Sequence, residues 1–282
     1  MSNTTITDGG WGTQLQQRGL ELGTHPDVWN LTNRGKVLDV AKCYVNAGSQ
    51  IILTNTFGAS RFVLAKHNLA DKVNEINQTG VEISKEAAGD KVKVFASMGP
   101  SGLMIMMGQV TEQELFDGFQ EQAKALAAGG ADAIVVETMS DATEAAIAVR
   151  AAKTTGLPVV GCVVFDSGKD KDRTMMGQTP EQAVEQLTAA GADVIGSNCG
   201  QGIDGFIPIC KRMRAVTDLP LWMKGNAGLP NFVDGKTVYT QTPEQFAEKA
   251  IELTTIGANY IGGCCGTSPE FIMAIAKKLQ SK

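Results

Sequence analysis

The stretch Ala190-Gly191-Ala192-Asp193-Val194-Ile195-Gly196-Ser197-Asn198-Cys199 sets the reading of the whole chain. Ala-Gly closes an amphipathic run, as a helix ending on glycine does, and an apolar β-rich run follows at once. The same phrase recurs as Ala47-Gly48-Ser49, Ala128-Gly129-Gly130-Ala131-Asp132 and Ile256-Gly257-Ala258-Asn259, each just before another β-rich run. In chain order the runs are Thr5–Asp8, Gln50–Asn55, Lys93–Met98, Ala133–Thr138, Pro158–Phe165, Asp193–Cys199, Leu219–Gly225 and Asn259–Gly263. Helical patterns separate them, among them 111–128, 141–155, 179–190, 242–256 and 268–279. Thr179-Pro180-Glu181-Gln182 and Thr242-Pro243-Glu244-Gln245 carry Thr at the N-cap, Pro at N1 and Gln three residues on, a helix-start signature.

Strands alternating with helices imply right-handed crossovers and a parallel sheet. Eight such repeats in a chain of 282 residues, close to the ~250 typical of that architecture, predict an α/β fold, a single closed (β/α)8 TIM barrel. The competing open, doubly wound sheet lacks its fingerprint: Gly9-Gly10-Trp11-Gly12 has the wrong spacing for Gly-x-Gly-x-x-Gly. With no Pro/Ser-rich linker, residues 1–282 read as one domain. The long connections Gly10–Asn33 and Thr56–Gly89 are expected to carry extra helices around the mouth.

Hydrophobic residues make up 43% of the chain and charged residues 20%, an ordinary globular balance. A net charge of −5 argues against nucleic-acid or anionic-membrane partners. Residues 1–8 lack a basic and then apolar leader. No apolar run reaches the ~20 residues that span a bilayer. A cytoplasmic location is therefore expected, and six cysteines at 43, 162, 199, 210, 264 and 265 read as reduced rather than paired.

In a TIM barrel the active site forms at the C-terminal ends of the strands. Those ends offer Asp8; Asn55 and Thr56; Ser97 and Met98; Glu137 and Thr138; Asn198 and Cys199; Lys224 and Asn226; and Cys264 and Cys265. Three of the six cysteines thus fall on strands six and eight. Cys264 lies 65 residues beyond Cys199, so only the fold can assemble them. Three thiolates with an open fourth position suit Zn²⁺; such an electron-rich ligand set suits a soft thiolate better than water activation. On a regular strand Cys264 and Cys265 would point apart, and the glycines of Ile261-Gly262-Gly263-Cys264-Cys265-Gly266-Thr267 are expected to let both face one ion. Cys43, Cys162 and Cys210 read as core.

Asp8 and Glu137 are an acidic pair suited to a cation such as an ammonium; the structural alternatives are an Asx turn at Asp8 and helix capping. Gly9 and Gly10 can present amides to an anion. His25 and His67 fall in connections and read as solvated. The apolar run Leu103-Met104-Ile105-Met106-Met107 reads as packing or as a lid.

The motifs Asp8-Gly9-Gly10-Trp11-Gly12-Thr13, Trp29-Asn30-Leu31-Thr32, Ile51-Ile52-Leu53-Thr54-Asn55-Thr56-Phe57, Glu137-Thr138, Asn198-Cys199, Asn226-Ala227-Gly228 and Gly262-Gly263-Cys264-Cys265-Gly266-Thr267 together resemble the homocysteine S-methyltransferase family, in particular the homocysteine-binding barrel of cobalamin-dependent methionine synthase. The resemblance spans nearly the whole chain. It implies a TIM barrel with Zn²⁺ on Cys199, Cys264 and Cys265. It implies homocysteine as the small-molecule thiol acceptor, its sulfur completing the metal and methionine the product. Asp8 and Glu137 would hold the ammonium, with the Gly9 and Gly10 amides near the carboxylate. Asn226 matches a position that fills the open metal site when substrate is away. The chain ends soon after the barrel, so the methyl donor is expected to be a small molecule or a separate corrinoid protein. Lys224-Gly225 stands where relatives often carry an acidic residue and Pro, which opens the alternative of a stand-alone subunit exchanging methyl groups with that corrinoid protein or using another acceptor. A zinc hydrolase is disfavoured by the shortage of His; a thiol-rich metal-binding or redox-sensing barrel is the non-enzymatic rival.

Overall fold

A computed structural model describes residues 4–21, 23–233 and 236–280; the reading of residues 1–8 as leader-free falls partly outside them. Among the described residues the strands in chain order are β1 (Thr5–Ile6), β2 (Ile51–Ile52), β3 (Lys93–Met98), β4 (Ala133–Met139), β5 (Val159–Val163), β6 (Val194–Gly202), β7 (Leu221–Asn226), β8 (Pro230–Val233), β9 (Lys236–Tyr239) and β10 (Ala258–Gly263). Eight of them form one parallel sheet in the order β1-β10-β7-β6-β5-β4-β3-β2. Gln50 closes the seam. Its N–H donates to the Ile6 carbonyl at 2.8 Å, and its carbonyl accepts from Lys93 N–H at 3.0 Å. Its side-chain Oε1 accepts from Ile6 N–H at 2.9 Å. The helices between strands, including Arg34–Asn46, Val73–Ala88, Glu112–Ala128, Ala142–Lys153, Pro180–Ala189, Phe206–Arg214 and Pro243–Ile256, complete the (β/α)8 TIM barrel. Among the described residues no helix is long and apolar enough to cross a membrane.

The local signals act as expected. Thr111, Thr179 and Thr242 each form a complete capping box. Gly48, Gly130, Gly191 and Gly257 leave their helices with positive φ. The long connections carry short helices, Trp11–Gln17 and Trp29–Thr32 in the first and Arg61–Ala65 in the second.

Strands β1 and β2 are shorter than their apolar runs because side chains replace the ladder at their ends. Leu53 N–H donates to Asp8 Oδ2 at 2.6 Å, and Ser97 N–H donates to Thr54 Oγ1 at 3.0 Å. The antiparallel hairpin β8–β9 was not expected. Its signal stands in the sequence: Asp234-Gly235, preceded by Phe232-Val233 and followed two residues on by Val238-Tyr239, is a two-residue hairpin sequence.

Inside the barrel, Ile51, Leu53, Val135, Val160, Cys162, Val194 and Trp222 form one buried cluster. Trp222 stacks on Phe95 with ring centroids 5.9 Å apart and lies 5.4 Å from Tyr260. This aromatic layer plugs the barrel and floors the space above it. Cys162 and Cys210 are buried as core residues.

The loop after β1 is held over the mouth by buried polar groups. Asn55 Nδ2 donates to the Pro26 carbonyl and to Asn30 Oδ1 at 2.9 and 3.0 Å. Asn30 Nδ2 donates to the Asn55 and Ile76 carbonyls at 2.7 and 3.0 Å. Asp27 Oδ1 accepts from Gly58 N–H at 3.2 Å, and His25 Nε2 lies 3.3 Å from Asp27 Oδ2. The solvated reading of His25 is thus corrected: its side chain is 8% exposed and it stacks on His67 at 4.7 Å, because the loop folds inward onto β2.

Burial holds the Asp27 carboxyl up to about 7; burial and the adjacent His67 hold His25 down to about 4. Between those values native Asp27 keeps a proton that the unfolded chain releases, so its contribution to stability falls as pH rises. Native His25 refuses a proton that the unfolded chain takes up below 6.5, so its contribution rises with pH. Each slope is about 1.4 kcal/mol per pH unit at most, and in the wild type they oppose. In urea midpoints taken across about pH 4.5–6.5 the slopes due to this pair should therefore cancel. Asp27→Asn should turn the midpoints to rise with pH, and His25→Gln should turn them to fall.

Candidate active site

The C-terminal mouth holds a cavity of about 570 Å³ whose wall includes Gly9, Gly10, Glu137, Lys224 and the three cysteines. Cys199, Cys264 and Cys265 place their sulfurs within 4.8 Å of one another, with Cys199 Sγ 3.8 Å from Cys265 Sγ. A tetrahedral ion with metal–sulfur distances of about 2.3 Å separates its thiolates by about 3.8 Å. The trio thus has the spacing and donor chemistry to hold such an ion.

Backbone geometry brings the three together. β6 shifts register between Asn198 and Gly202. Within that bulge Cys199 and Gly200 have φ of 63° and 79°, the left-handed region that costs a non-glycine residue about 1 kcal/mol or more. The excursion turns the Cys199 side chain toward β10. It is held in place by Asn198, whose Oδ1 accepts from Thr138 N–H and whose Nδ2 donates to Thr138 Oγ1, both at 2.7 Å.

On the other side the chain leaves β10 at Gly263 and turns through Cys264-Cys265. Cys264 N–H donates to the Gly225 carbonyl at 2.8 Å, and the Cys265 carbonyl accepts from Ala227 N–H at 3.0 Å. Cys265 N–H donates to Asn226 Oδ1 at 3.1 Å. The role expected of the glycines divides in two. Only Gly266 uses a positive φ, 80°. Gly262 and Gly263 have ordinary φ and are needed for close approach, since a Cβ there would collide with Thr7 Oγ1 and Thr267 Oγ1.

Electrostatics within the trio is uneven. The Cys264 and Cys265 thiols donate toward Cys199 and pull its proton off first, and the same contacts hold theirs on. Tyr239, from the unexpected hairpin, packs over Gly266. Its hydroxyl is pushed up to about 12 by burial and by the three nearby sulfurs. Spacing alone carried no sign of it, because the hairpin that brings it in was not read.

The acidic pair is placed differently from the expectation. Asp8 is fully buried, and it is Lys224 that lines the cavity in front of it. Lys224 Nζ donates to Asp8 Oδ1 at 2.5 Å. Asp8 Oδ2 accepts from Trp11 Nε1 and Leu53 N–H, each at 2.6 Å. Glu137 lines the cavity; its Oε1 accepts from Ser97 Oγ at 2.5 Å and its Oε2 from Asn198 Nδ2 at 3.3 Å. Burial raises the Glu137 carboxyl above its ordinary value against the pull of Lys224. Gly10 N–H donates to the Thr267 carbonyl at 2.9 Å, so of the two amides expected to meet an anion that of Gly10 is engaged in the fold. Asn226 is buried against the Cys265 amide and the Cys199 thiol. The run 103–107 is not part of the cavity wall; Met106 and Met107 point to solvent, while Leu103 and Ile105 pack on the core.

Comparison with known proteins follows the same lines. A family model described as homocysteine S-methyltransferase matches residues 5–279. The methionine synthases of Mycobacterium leprae and Mycobacterium tuberculosis are 29% and 30% identical over 289 and 290 residues. Each alignment covers 96% of this chain and 24% of the relative, so the chain spans about a quarter of the length of these curated relatives. Among solved structures, the metallated form of the homocysteine methyltransferase MmuM from Escherichia coli superposes with a TM-score of 0.77 at 22% identity, over 98% of this chain and 96% of that one. Its oxidised form gives 0.76 at 22% identity, with the same coverage. At that identity the likeness establishes the shared barrel. The match over residues 5–279 establishes more: this chain belongs to the homocysteine S-methyltransferase family.

Proposed function

We propose that residues 1–282 act as one barrel domain, a zinc-dependent S-methyltransferase that methylates the thiol of homocysteine to give methionine. The observation that carries this reading is the convergence of three cysteine sulfurs, from two strand ends, on the wall of a cavity large enough for such an acceptor. The ion is assigned as zinc because an all-thiolate set suits its softness and tetrahedral preference. Held by Cys199, Cys264 and Cys265, such an ion would lower the pKa of the acceptor thiol so that a thiolate is available near neutral pH.

The chain supplies position and dryness. Cys199, Cys264 and Cys265 place the acceptor sulfur at the inner edge of the mouth. Gly9, Gly10 and Glu137 line the space for the rest of the molecule. Asp8 acts from behind Lys224, and Asn226 holds the Cys265 amide and so the metal loop. The acceptor sulfur attacks the donor's methyl carbon in line. A sulfur–carbon bond forms, the donor–carbon bond breaks, and the donor leaves with that electron pair. No histidine base is required, and the buried His25 is neutral near pH 7.

Purified protein should contain about one zinc per chain. Cys199→Ser or Cys265→Ser should lower zinc affinity by more than the roughly 10–100-fold typical of losing a mere supporting hydrogen bond, read by metal analysis after dialysis. Wild-type zinc content in both variants would refute the site. Incubation with homocysteine and a panel of S-methylmethionine, S-adenosylmethionine, betaine and a methyl-corrinoid should yield methionine with at least one donor and none in the Cys265→Ser variant. Methionine formed only from the methyl-corrinoid would select the reading in which a separate corrinoid protein is the donor partner.

A further inference from the structure

Resting on that reading, the geometry around Lys224 bears on which thiols the site accepts. Two buried carboxylates, Asp8 and Glu137, lie beside the three cysteines. Such a concentration of negative charge demands a cation. Lys224 provides one from inside the fold: its side chain is 2% exposed, that of Asp8 is 0% exposed, and Nζ and Oδ1 are 2.5 Å apart. Asp8 then has three donors, Lys224 Nζ, Trp11 Nε1 and Leu53 N–H, and does not reach the cavity. Lys224 does line it, and its ammonium has donors beyond the one given to Asp8.

A thiol seated at the cysteines directs its tail along the wall formed by Gly9, Lys224 and Glu137. A tail carrying an ammonium meets a like charge there, and the two carboxylates that would have paired with it, Asp8 and Glu137, already share that cation. A tail carrying a carboxylate meets an opposite charge whose desolvation has been offset by Asp8. We infer that Lys224 fills the cation seat of this site, so that the acceptor is selected by its thiol and its carboxylate and not by an ammonium. The substrate class is the short mercapto acids, of which homocysteine is the amino-substituted member and 4-mercaptobutyrate the parent.

Lys224 is a specificity-determining residue in this account, and binding tests it without a methyl donor. Calorimetric titration of the zinc-loaded chain should give 4-mercaptobutyrate a Kd equal to or lower than that of homocysteine. Lys224→Met frees Asp8 and Glu137 for the ammonium and should shift the ratio about tenfold or more toward homocysteine, the scale of removing one like-charge contact. Because that variant leaves Asp8 buried without its cation, the double variant Asp8→Asn, Lys224→Met is measured beside it, with thermal melting to show folding. It should weaken 4-mercaptobutyrate with a smaller gain for homocysteine, since Glu137 alone remains for the ammonium. A wild type that binds homocysteine tenfold or more tightly than 4-mercaptobutyrate overturns the inference. So do Lys224 variants that change both Kd values equally. Product assays separate the two readings. Tight binding of both thiols with no methylated product from any donor sinks the methyltransferase and leaves Lys224 standing; methionine formation with a strong preference for homocysteine does the reverse. If neither thiol binds, both readings fail.

Discussion

The buried pair Asp8–Lys224 is the interaction on which the mouth of this barrel depends. It joins β1 to β7 across the intervening β10, on the inner face of the sheet. Through its second oxygen Asp8 also fixes the Leu53 amide beyond β2 and the Trp11 indole after β1. One carboxylate therefore anchors segments that meet where the barrel closes and where ladder hydrogen bonds are fewest. A buried ion pair is weak evidence of net stabilisation, since desolvation offsets much of the attraction. Its value here is positional: removing either partner leaves a charge with nowhere to go, so alternative arrangements of the mouth are excluded.

The cysteine constellation sits on this frame and adds its own constraint. Cys199 must leave strand geometry to face Cys264 and Cys265, and it does so at a positive φ that a side chain resists. The Asn198–Thr138 exchange of hydrogen bonds and the packing of Gly200 on Val164 hold that excursion. Strain of this kind persists only where the surroundings over-determine it. The ties of the β10 loop to Gly225, Asn226 and Ala227 do the same on the other side. Both halves of the sulfur cluster are thus bound to neighbouring strand ends, and the β7 end between them ties the two together.

Much of this was legible in the residues alone. Helix caps, the glycines before strands and eight apolar runs predict the barrel, because each is a local consequence of backbone chemistry. The cysteines were legible because topology places strands six and eight one strand apart. The partner of Asp8 was not legible. Nothing in the periodicity of β7 says that Lys224 turns inward, and a lysine at a strand end ordinarily reads as solvated. Only the apposition of Asp8 at the same level of the barrel, above the Trp222 layer, makes an inward ammonium tolerable. His25 and Asp27 were missed for a related reason: loop residues are buried by what they fold against, here Gly58 and His67, and such contacts have no sequence period. The hairpin β8–β9 is a different case, since its turn signal, Asp234-Gly235, is local and stands in the sequence.

These placements bear on how charge is managed in a site built around thiolates. Three cysteines and two carboxylates share one end of the barrel, and a bound dication would offset only part of that charge. A site that relied on its acceptor for the remaining cation would be electrostatically incomplete whenever the acceptor left. With Lys224 in place, Asp8 has its countercharge within the fold, and Glu137 feels the same ammonium beside hydroxyl and amide donors from Ser97 and Asn198. The mouth is thereby organised in the absence of ligand. In the proposed reading the consequence falls on recognition: a cation supplied by the fold, shared by Asp8 and Glu137, relaxes the requirement for one supplied by the acceptor.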